Sequence, residues 1–372
     1  MKLFAGIIIF TLIYILQKLL YMKFWDRNLE ASLSFDRDYI ECGEKADLIE
    51  VVSNDKMLPL PVFHLRFSVD RSLIFDDVRN SSVTDLYHKN EVFSILGHQR
   101  ITRKLSFKGT SRGVVVVNNA SISVHDFFMV STYAMSIKSV DSIYVFPEKI
   151  HTERFKMILK GIIGELEAKK SIIEDSLTFR GIRDYQSFDP YRSINWKQSA
   201  KAQDLMVNVY NYTTDCRVRI MLDLDNDYMI ETDRLLEEAI RLASSISRQL
   251  IARGIGVSVV SNGTTAEGKP LADVEYGSDL KHGITIDKML CEIAGSESKD
   301  RFLDYVNDEI NNVRKDMLYL IISPYTRDDL MTLLDRLESK GGVVQMLVPC
   351  YDEYPYVSNR AYSQGWEVPI NV

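Results

Sequence analysis

Three carboxylates at alternate positions, Asp223, Asp225 and Asp227, are the residues of this chain best spaced for chemistry. They close an apolar run, residues 218–224, that reads as a strand, and in an open α/β sheet ligand sites lie at such strand ends. Carboxylates grouped there can hold a hard cation such as Mg²⁺. A metal-dependent hydrolase would use them in that way, but it would need a second ligand set, and none follows in the sequence. The other reading is a solvated acidic loop capping the sheet, with Asp223 the residue best placed to keep a role.

Other catalytic patterns fail on their context. Gly109-Thr-Ser111-Arg-Gly113 has the spacing of a nucleophile elbow, which must join a strand to a helix. Here residues 114–117 are β-branched and favour another strand, so a glycine-bounded hairpin turn is expected. There is no phosphate-binding glycine loop and no Ser/His/Asp set in a usable order. Cys42, Cys216, Cys291 and Cys350 are too scattered for a zinc knuckle or redox dithiol, and the histidines form no close pair. No catalytic residue is assigned, and the chain reads as a non-enzyme without a resident cofactor.

The densest mixture of charge and aromatics runs from residue 179 to 210. It reads FRGIRDYQSFDPYRSINWKQSAKAQDLMVNVY. Arg180, Arg183 and Arg192 crowd around Asp184, Tyr185, Asp189 and Trp196. Asp189-Pro190 marks a turn, because proline disfavours helix at the residue before it. Residues 194–202 can form one or two helical turns, with Trp196 and Ala200 on one face, and residues 205–210 alternate toward a strand. Forked arginine contacts to carboxylates and rings support two readings. One is a docking or anion-binding surface. The other, favoured by residue chemistry, is an internal clasp in which Trp196 fills the core and the ion pairs lie at a domain junction.

The elements that must position these residues fall into an anchor and two domains, as 372 residues exceed one ordinary core. A charged fraction of 26% beside 46% hydrophobic residues indicates folded domains. A formal net charge of -7 argues against coating nucleic acid. Residues 3–16 carry no charge, and the run to residue 22 is long enough for a membrane-spanning helix, which needs roughly 20 residues. Lys18 can snorkel, while Tyr21, Phe24 and Trp25 form an interfacial belt. A cleaved signal peptide would need a small-residue site, which is missing. Lys18, Lys23 and Arg27 outweigh Lys2, so the expectation is a single-pass cell-membrane protein with its C-terminal body cytoplasmic. Unpaired cysteines agree, and the glycosylation-type triplets at Asn80, Asn119, Asn211 and Asn262 are then chance.

Residues 28–147 hold short alternating or β-branched runs separated by turn residues, the pattern of an antiparallel β-sandwich-like domain. Residues 148–212 form a connecting segment, after residues 1–25 as the anchor. From 213 to 372, apolar runs at 218–224, 255–261, 317–323 and 343–348 alternate with amphipathic stretches at 232–253 and 327–339. That alternation indicates a doubly wound α/β domain with a parallel sheet covered on both faces.

The pattern Arg180-x-x-Arg183-x-Tyr185, then Asp189-Pro-x-Arg192-x-Ile194-x-Trp196-Lys-x-x-Ala200, resembles the signature of domain-of-unknown-function family 58. Phe188 stands where that family usually has glycine. Ser111-Arg112-Gly113, His125-Asp126-Phe127-Phe128 and Phe146-Pro147 are similar to its outer segments. The resemblance implies that the C-terminal domain is of von Willebrand factor A type and that the protein is associated with MoxR-type AAA+ ATPases. Domains of that type often hold Mg²⁺ through Asp-x-Ser-x-Ser. Here both serines are aspartates, and Ser323-Pro324 stands where a later acid is usual, so the resemblance implies a degenerate metal site. The expected function is a membrane-anchored, non-catalytic adaptor for a protein partner, a MoxR-type ATPase being the one implied. The alternatives are the metal-dependent hydrolase and an outward-facing structural protein of the cell envelope.

Overall fold

A computed structural model describes residues 2–77, 79–138, 141–172, 174–185, 191, 194–212, 217–225, 233–296, 299–314 and 316–369. The contacts divide the chain into two compact units, residues 1–148 and 149–372.

The first unit begins with helix α1 (Lys2–Phe24). Its apolar residues face outward all round, from Leu3 to Met22, with only Tyr21 buried. The stretch Leu3–Phe24, with mean hydropathy 2.2, is long and apolar enough to cross a membrane. The last turns are fixed to the body. Tyr21 Oη donates to the Pro59 carbonyl at 2.7 Å, and Trp25 stacks on Tyr133 at 5.7 Å.

The body of this unit is β-structure: β1 (Leu29–Phe35), β2 (Tyr39–Glu41), β3 (Lys45–Asn54), β4 (Leu60–Asp70), β5 (Leu73–Phe75) and β6 (Ser81–Val83) come first. They are followed by β7 (Leu86–Ile95), β8 (Gln99–Gly109), β9 (Gly113–Val116), β10 (Asn118–His125), β11 (Thr132–Ser136) and β12 (Ser142–Phe146). An antiparallel sheet ordered β1-β3-β8-β5 and another ordered β11-β10-β4-β7-β6 make the sandwich-like core expected from the alternation. Along β3, Ala46, Leu48 and Val52 turn inward at the two-residue period of a strand. Phe63, Phe75 and Phe107 are fully buried in the same core, each contributing about 2 kcal/mol through lost apolar surface. A third sheet, β2-β12-β9, departs from expectation because β2 and β12 run parallel.

The 109–113 segment also differs from the expected hairpin. It links β8 to β9, but β8 pairs with β3 and β5, while β9 pairs with β12. A Cβ at Gly109 would lie 3.0 Å from the Ile40 and Val145 side chains, which would have to give way. The serine therefore sits on a strand-to-strand link between sheets and not on a strand-to-helix elbow.

The second unit opens with α2 (Glu153–Ile172), β13 (Glu174–Asp184), α3 (Trp196–Ala202) and β14 (Met206–Tyr212). Then come β15 (Arg217–Leu222), α4 (Asp233–Ile251), β16 (Gly256–Ser261), β17 (Gly263–Thr264), β18 (Val274–Gly277), α5 (Leu280–Glu292) and β19 (Gly295–Ser296). The unit ends with α6 (Lys299–Asn311), β20 (Met317–Ile322), α7 (Asp328–Ser339), β21 (Val343–Tyr351) and β22 (Ser363–Val368).

Its main sheet is ordered β18-β16-β15-β20-β21-β22, parallel except for β18 at the edge. Val218, Ile220 and Leu222 of β15 pack with Ile240 and Ile246 of α4 and Ile286 and Leu290 of α5. Met221 points to the other face, with Phe302 and Val306 of α6 and Leu330 and Leu334 of α7. Burial on both faces explains why these strands are apolar throughout. Phe155, Leu159 and Ile162 of α2 join the first of these cores, so this part of the expected connecting segment belongs to the α/β unit.

Candidate functional site

The sheet order reverses between β15 and β20, and the crevice outside the carboxyl ends of those two strands is where an open α/β sheet offers a site. Asp223 leaves β15 at this point and is fully buried. Its Oδ1 accepts from Asn262 Nδ2 at 3.1 Å and from the Asp225 amide at 3.2 Å. Its Oδ2 accepts from Ser323 Oγ at 2.9 Å. Arg327, just ahead of α7, reaches the same oxygen with Nη2 at 3.5 Å and bonds Asp225 Oδ2 through Nη1. Burial pushes the Asp223 carboxyl above its ordinary range, opposed by the Arg327 guanidinium and the Ser323 hydroxyl.

These contacts decide what the acidic pair can hold. The two described carboxylates already bind a cation from their own chain, and the arginine's fork takes an oxygen from each. Among the described residues no group of three His, Cys, Asp or Glu side chains is arranged to hold a metal. The two described carboxylates therefore accommodate a guanidinium. Asp227 lies outside the described residues.

Sequence reasoning named Asp223 and Ser323 at the two strand ends but missed Asn262 and Arg327 as their partners. Asn262 was seen only as a chance glycosylation triplet, yet it also accepts the Leu224 amide at 2.8 Å and so fixes the β15 end to the β16 end. Arg327 had one readable signal: a lone base ahead of Asp328 and Asp329, soon after the Ser323 strand end.

The signature segment forms a separate small structure, with β13 antiparallel to β14. Asn195 caps α3 by accepting the Gln198 amide at 3.0 Å. Its Nδ2 donates to Asn208 Oδ1 at 2.8 Å. Ser199 turns inward. Its Oγ donates to the Asn195 carbonyl at 2.9 Å and accepts the Met206 amide at 2.8 Å, tying α3 to β14. Ile194 is buried and bridges to Val207.

Trp196 and Ala200 do share a face of α3, but that face is open to solvent, with Trp196 68% exposed. The expectation that Trp196 fills the core is corrected: a seven-residue helix capped at Asn195 and tied down through Ser199 turns its Trp196 side away. Tyr191 is 76% exposed and stacks on Tyr185 at 6.1 Å. Arg183 is exposed, and its Nη1 donates to the Asp184 carbonyl at 3.0 Å. Asp189 and Arg192 lie outside the described residues; Arg180 is described only as a backbone position on β13. The structure thus brings Tyr185, Tyr191, Ile194 and Trp196 into one small substructure, with Tyr191 and Trp196 at its surface.

A third cluster lies inside the sandwich. Glu50 of β3 takes an inward strand position, 1% exposed, and neither carboxylate oxygen has a hydrogen-bond partner. Lys89 and Glu91 of β7 are also buried, 3.2 Å apart, and Arg103 of β8 bonds Glu91 at 2.8 Å. Lys89 Nζ further donates to the Asp77 and Arg79 carbonyls at 2.7 and 2.8 Å. Burial pushes the Glu50 carboxyl up to about 7, with Arg103 opposing, Glu91 adding and Lys89 opposing.

No protein-family model and no curated protein matches the chain. Among solved structures it is similar to a non-cellulosomal cohesin from Archaeoglobus fulgidus, with 11% identity, 34% of this chain and 94% of that one covered, and a TM-score of 0.23. A type I cohesin–dockerin complex from Clostridium thermocellum gives 9% identity, coverage of 31% and 99%, and a TM-score of 0.23. A CARDB domain from Pyrococcus furiosus, in complex with di-metal ions, gives 12% identity, coverage of 32% and 90%, and a TM-score of 0.22. At that level of superposition these structures assign neither a function nor a partner to this chain.

Proposed function

We propose that this chain is a membrane-anchored, non-catalytic scaffold that recruits a protein partner through the exposed aromatics of its signature segment. The observation that carries this reading is the exposure of Trp196 and Tyr191, two large rings that the segment's own fold leaves outside. Aromatic side chains concentrate binding energy at protein interfaces, with Trp and Tyr prominent among the residues that anchor them. The closure of Asp223 and Asp225 by Arg327 favours a structural over a hydrolytic role for the acidic loop.

In this reading the second unit is a von Willebrand factor A-type domain of domain-of-unknown-function family 58. The sheet order, with a single antiparallel strand at the edge, supports that assignment. The partner is a MoxR-type AAA+ ATPase, as the signature's resemblance implies, and α1 is a single membrane span. The basic residues Lys18, Lys23 and Arg27 hold the body on the cytoplasmic side, where Cys42, Cys291 and Cys350 stay reduced and outside any disulfide.

The test is co-purification of the full chain, in detergent, with the MoxR-type ATPase of the same cell under ATP and Mg²⁺. The expected result is retention by the native chain and loss with Trp196→Ala. Absence of the ATPase from the native complex overturns the partner assignment.

A further inference from the structure

We propose that the loop joining β10 and β11 is a second membrane contact, with its apolar tip sunk into the lipid leaflet beside α1. The proposal rests on α1 being a membrane span. It adds that the domain itself enters the bilayer.

The loop, residues 126–131, carries Phe127, Phe128, Met129 and Val130 in succession. Phe127 and Met129 are each 64% exposed, and Val130 is exposed as well. Four apolar side chains at a loop tip are costly in water and need an apolar surrounding. Phe128 shows where that surrounding is. Its ring packs on Phe10 at 5.6 Å and on Tyr14 at 6.0 Å, halfway along the apolar helix. Gln17 Nε2 then donates to Asp126 Oδ2 at 3.1 Å, joining the loop's base to the helix nearer its body end.

Helix length turns this contact into a constraint. The hydrocarbon layer is about 30 Å thick and takes roughly 20 helical residues. If the layer stopped short of the loop, only residues 3–9 would be left to cross it, which is about 10 Å at 1.5 Å per residue. Any placement that lets α1 span therefore immerses the tip. The bond from Tyr21 to Pro59 and the stack of Trp25 on Tyr133 hold the body end of the helix against the domain.

Three of the loop's amides are bonded within it, which lowers the cost of a medium where unbonded backbone groups are expensive. The Asp126 amide donates to the Ser131 carbonyl at 3.1 Å, and the Met129 amide to the Asp126 carbonyl at 3.0 Å. The Val130 amide donates to Asp126 Oδ1 at 2.8 Å. Two further loops lie at the same end of the sandwich, because Asn54 pairs with Gln99 and Leu60 with Ile95. They present Met57 and Leu96, both exposed, at the level of Pro59 and Tyr21, where headgroups would lie.

The full chain is reconstituted in phosphatidylcholine–phosphatidylglycerol vesicles, with or without lipids brominated on the acyl chains. Phe127→Trp and Met129→Trp are compared with Val83→Trp, an exposed site on β6 paired to the far end of β7. The expected emission added over the native chain is blue-shifted for both loop variants and loses about half or more of its intensity in brominated vesicles, as for side chains held about 16 Å below the level of Tyr21, at 1.5 Å per helical residue back to Phe10. Val83→Trp emission is unchanged by bromine and quenched by aqueous acrylamide. If the chain floats with the vesicles while both loop tryptophans ignore bromine and respond to acrylamide, the loop proposal is overturned and the anchor stands. If the chain does not float with the vesicles, the spanning reading fails and the proposal falls with it.

Discussion

Arg327 sets its Nη2 atom 3.5 Å from Asp223 Oδ2, across 104 positions of sequence. The same guanidinium bonds Asp225, so the base at the start of α7 holds together the strand ends at the sheet's switch point. Removing one partner of a buried ion pair leaves an uncompensated charge.

The first prediction follows from that pairing. Arg327→Met is expected to destabilise the protein by roughly 3 kcal/mol, because Asp223 stays buried without its cation. Arg327→Ala leaves the acidic pair open, so millimolar Mg²⁺ or Ca²⁺ should raise the melting temperature of this variant and leave that of the native chain unchanged. A rise in the native chain with none in the variant would show that the arginine does not stand in for a cation.

Glu50 gives a pH prediction. Its folded-state value of about 7 lies above the ordinary 4.5, so the fold favours the protonated carboxyl. Its contribution to stability is full below about pH 4.5 and is lost as pH rises through about 7. Glu50→Gln should flatten that part of the stability–pH curve and stabilise the protein at pH 8 by on the order of 2 kcal/mol. Chemical denaturation of both proteins at pH 5 and pH 8 checks this. An equal difference at the two pH values would contradict it.

The small helix α3 separates a structural residue from a surface one. Ser199→Ala removes the acceptor for the Met206 amide and should cost about 1–2 kcal/mol. Trp196→Ala, on the solvent side, should change stability by no more than about 0.5 kcal/mol. Thermal melts of the two variants test the assignment, and a larger loss for Trp196→Ala would restore the clasp reading.

What could be read from the sequence was what short-range pattern determines. The apolar run through Val218, Ile220 and Leu222 identified a strand buried on both faces. The spacing of Leu235, Ala239, Ile240, Ala243 and Ile246 identified α4. Helix α5 escaped notice because Gly283, Ile284, Thr285 and Ile286 blur its local signal. It is set by the Asp279 cap and by burial of Ile286 and Leu290. Glu50 stood in the inward phase of β3, between Leu48 and Val52, yet a charge in that phase reads as a surface residue until its neighbours are seen. Trp196 misled in the opposite sense, since a large ring suggests core and only the tie between Ser199 and Met206 shows which face of α3 turns inward. Arg327 was beyond any local pattern, because its partners lie about a hundred residues away in the chain.

The central claim is that the exposed rings of the signature segment hold a partner at the membrane. The most direct test is the affinity of the full chain, in lipid nanodiscs, for a MoxR-type ATPase under ATP and Mg²⁺, measured for the native protein, Trp196→Ala and Tyr191→Ala. The account predicts that each substitution weakens binding at least about tenfold, as expected for an interface anchor worth more than about 1.4 kcal/mol, with melting temperature unchanged. Equal affinity in all three, or turnover of a substrate by the purified chain that is abolished by Asp223→Asn, would contradict it.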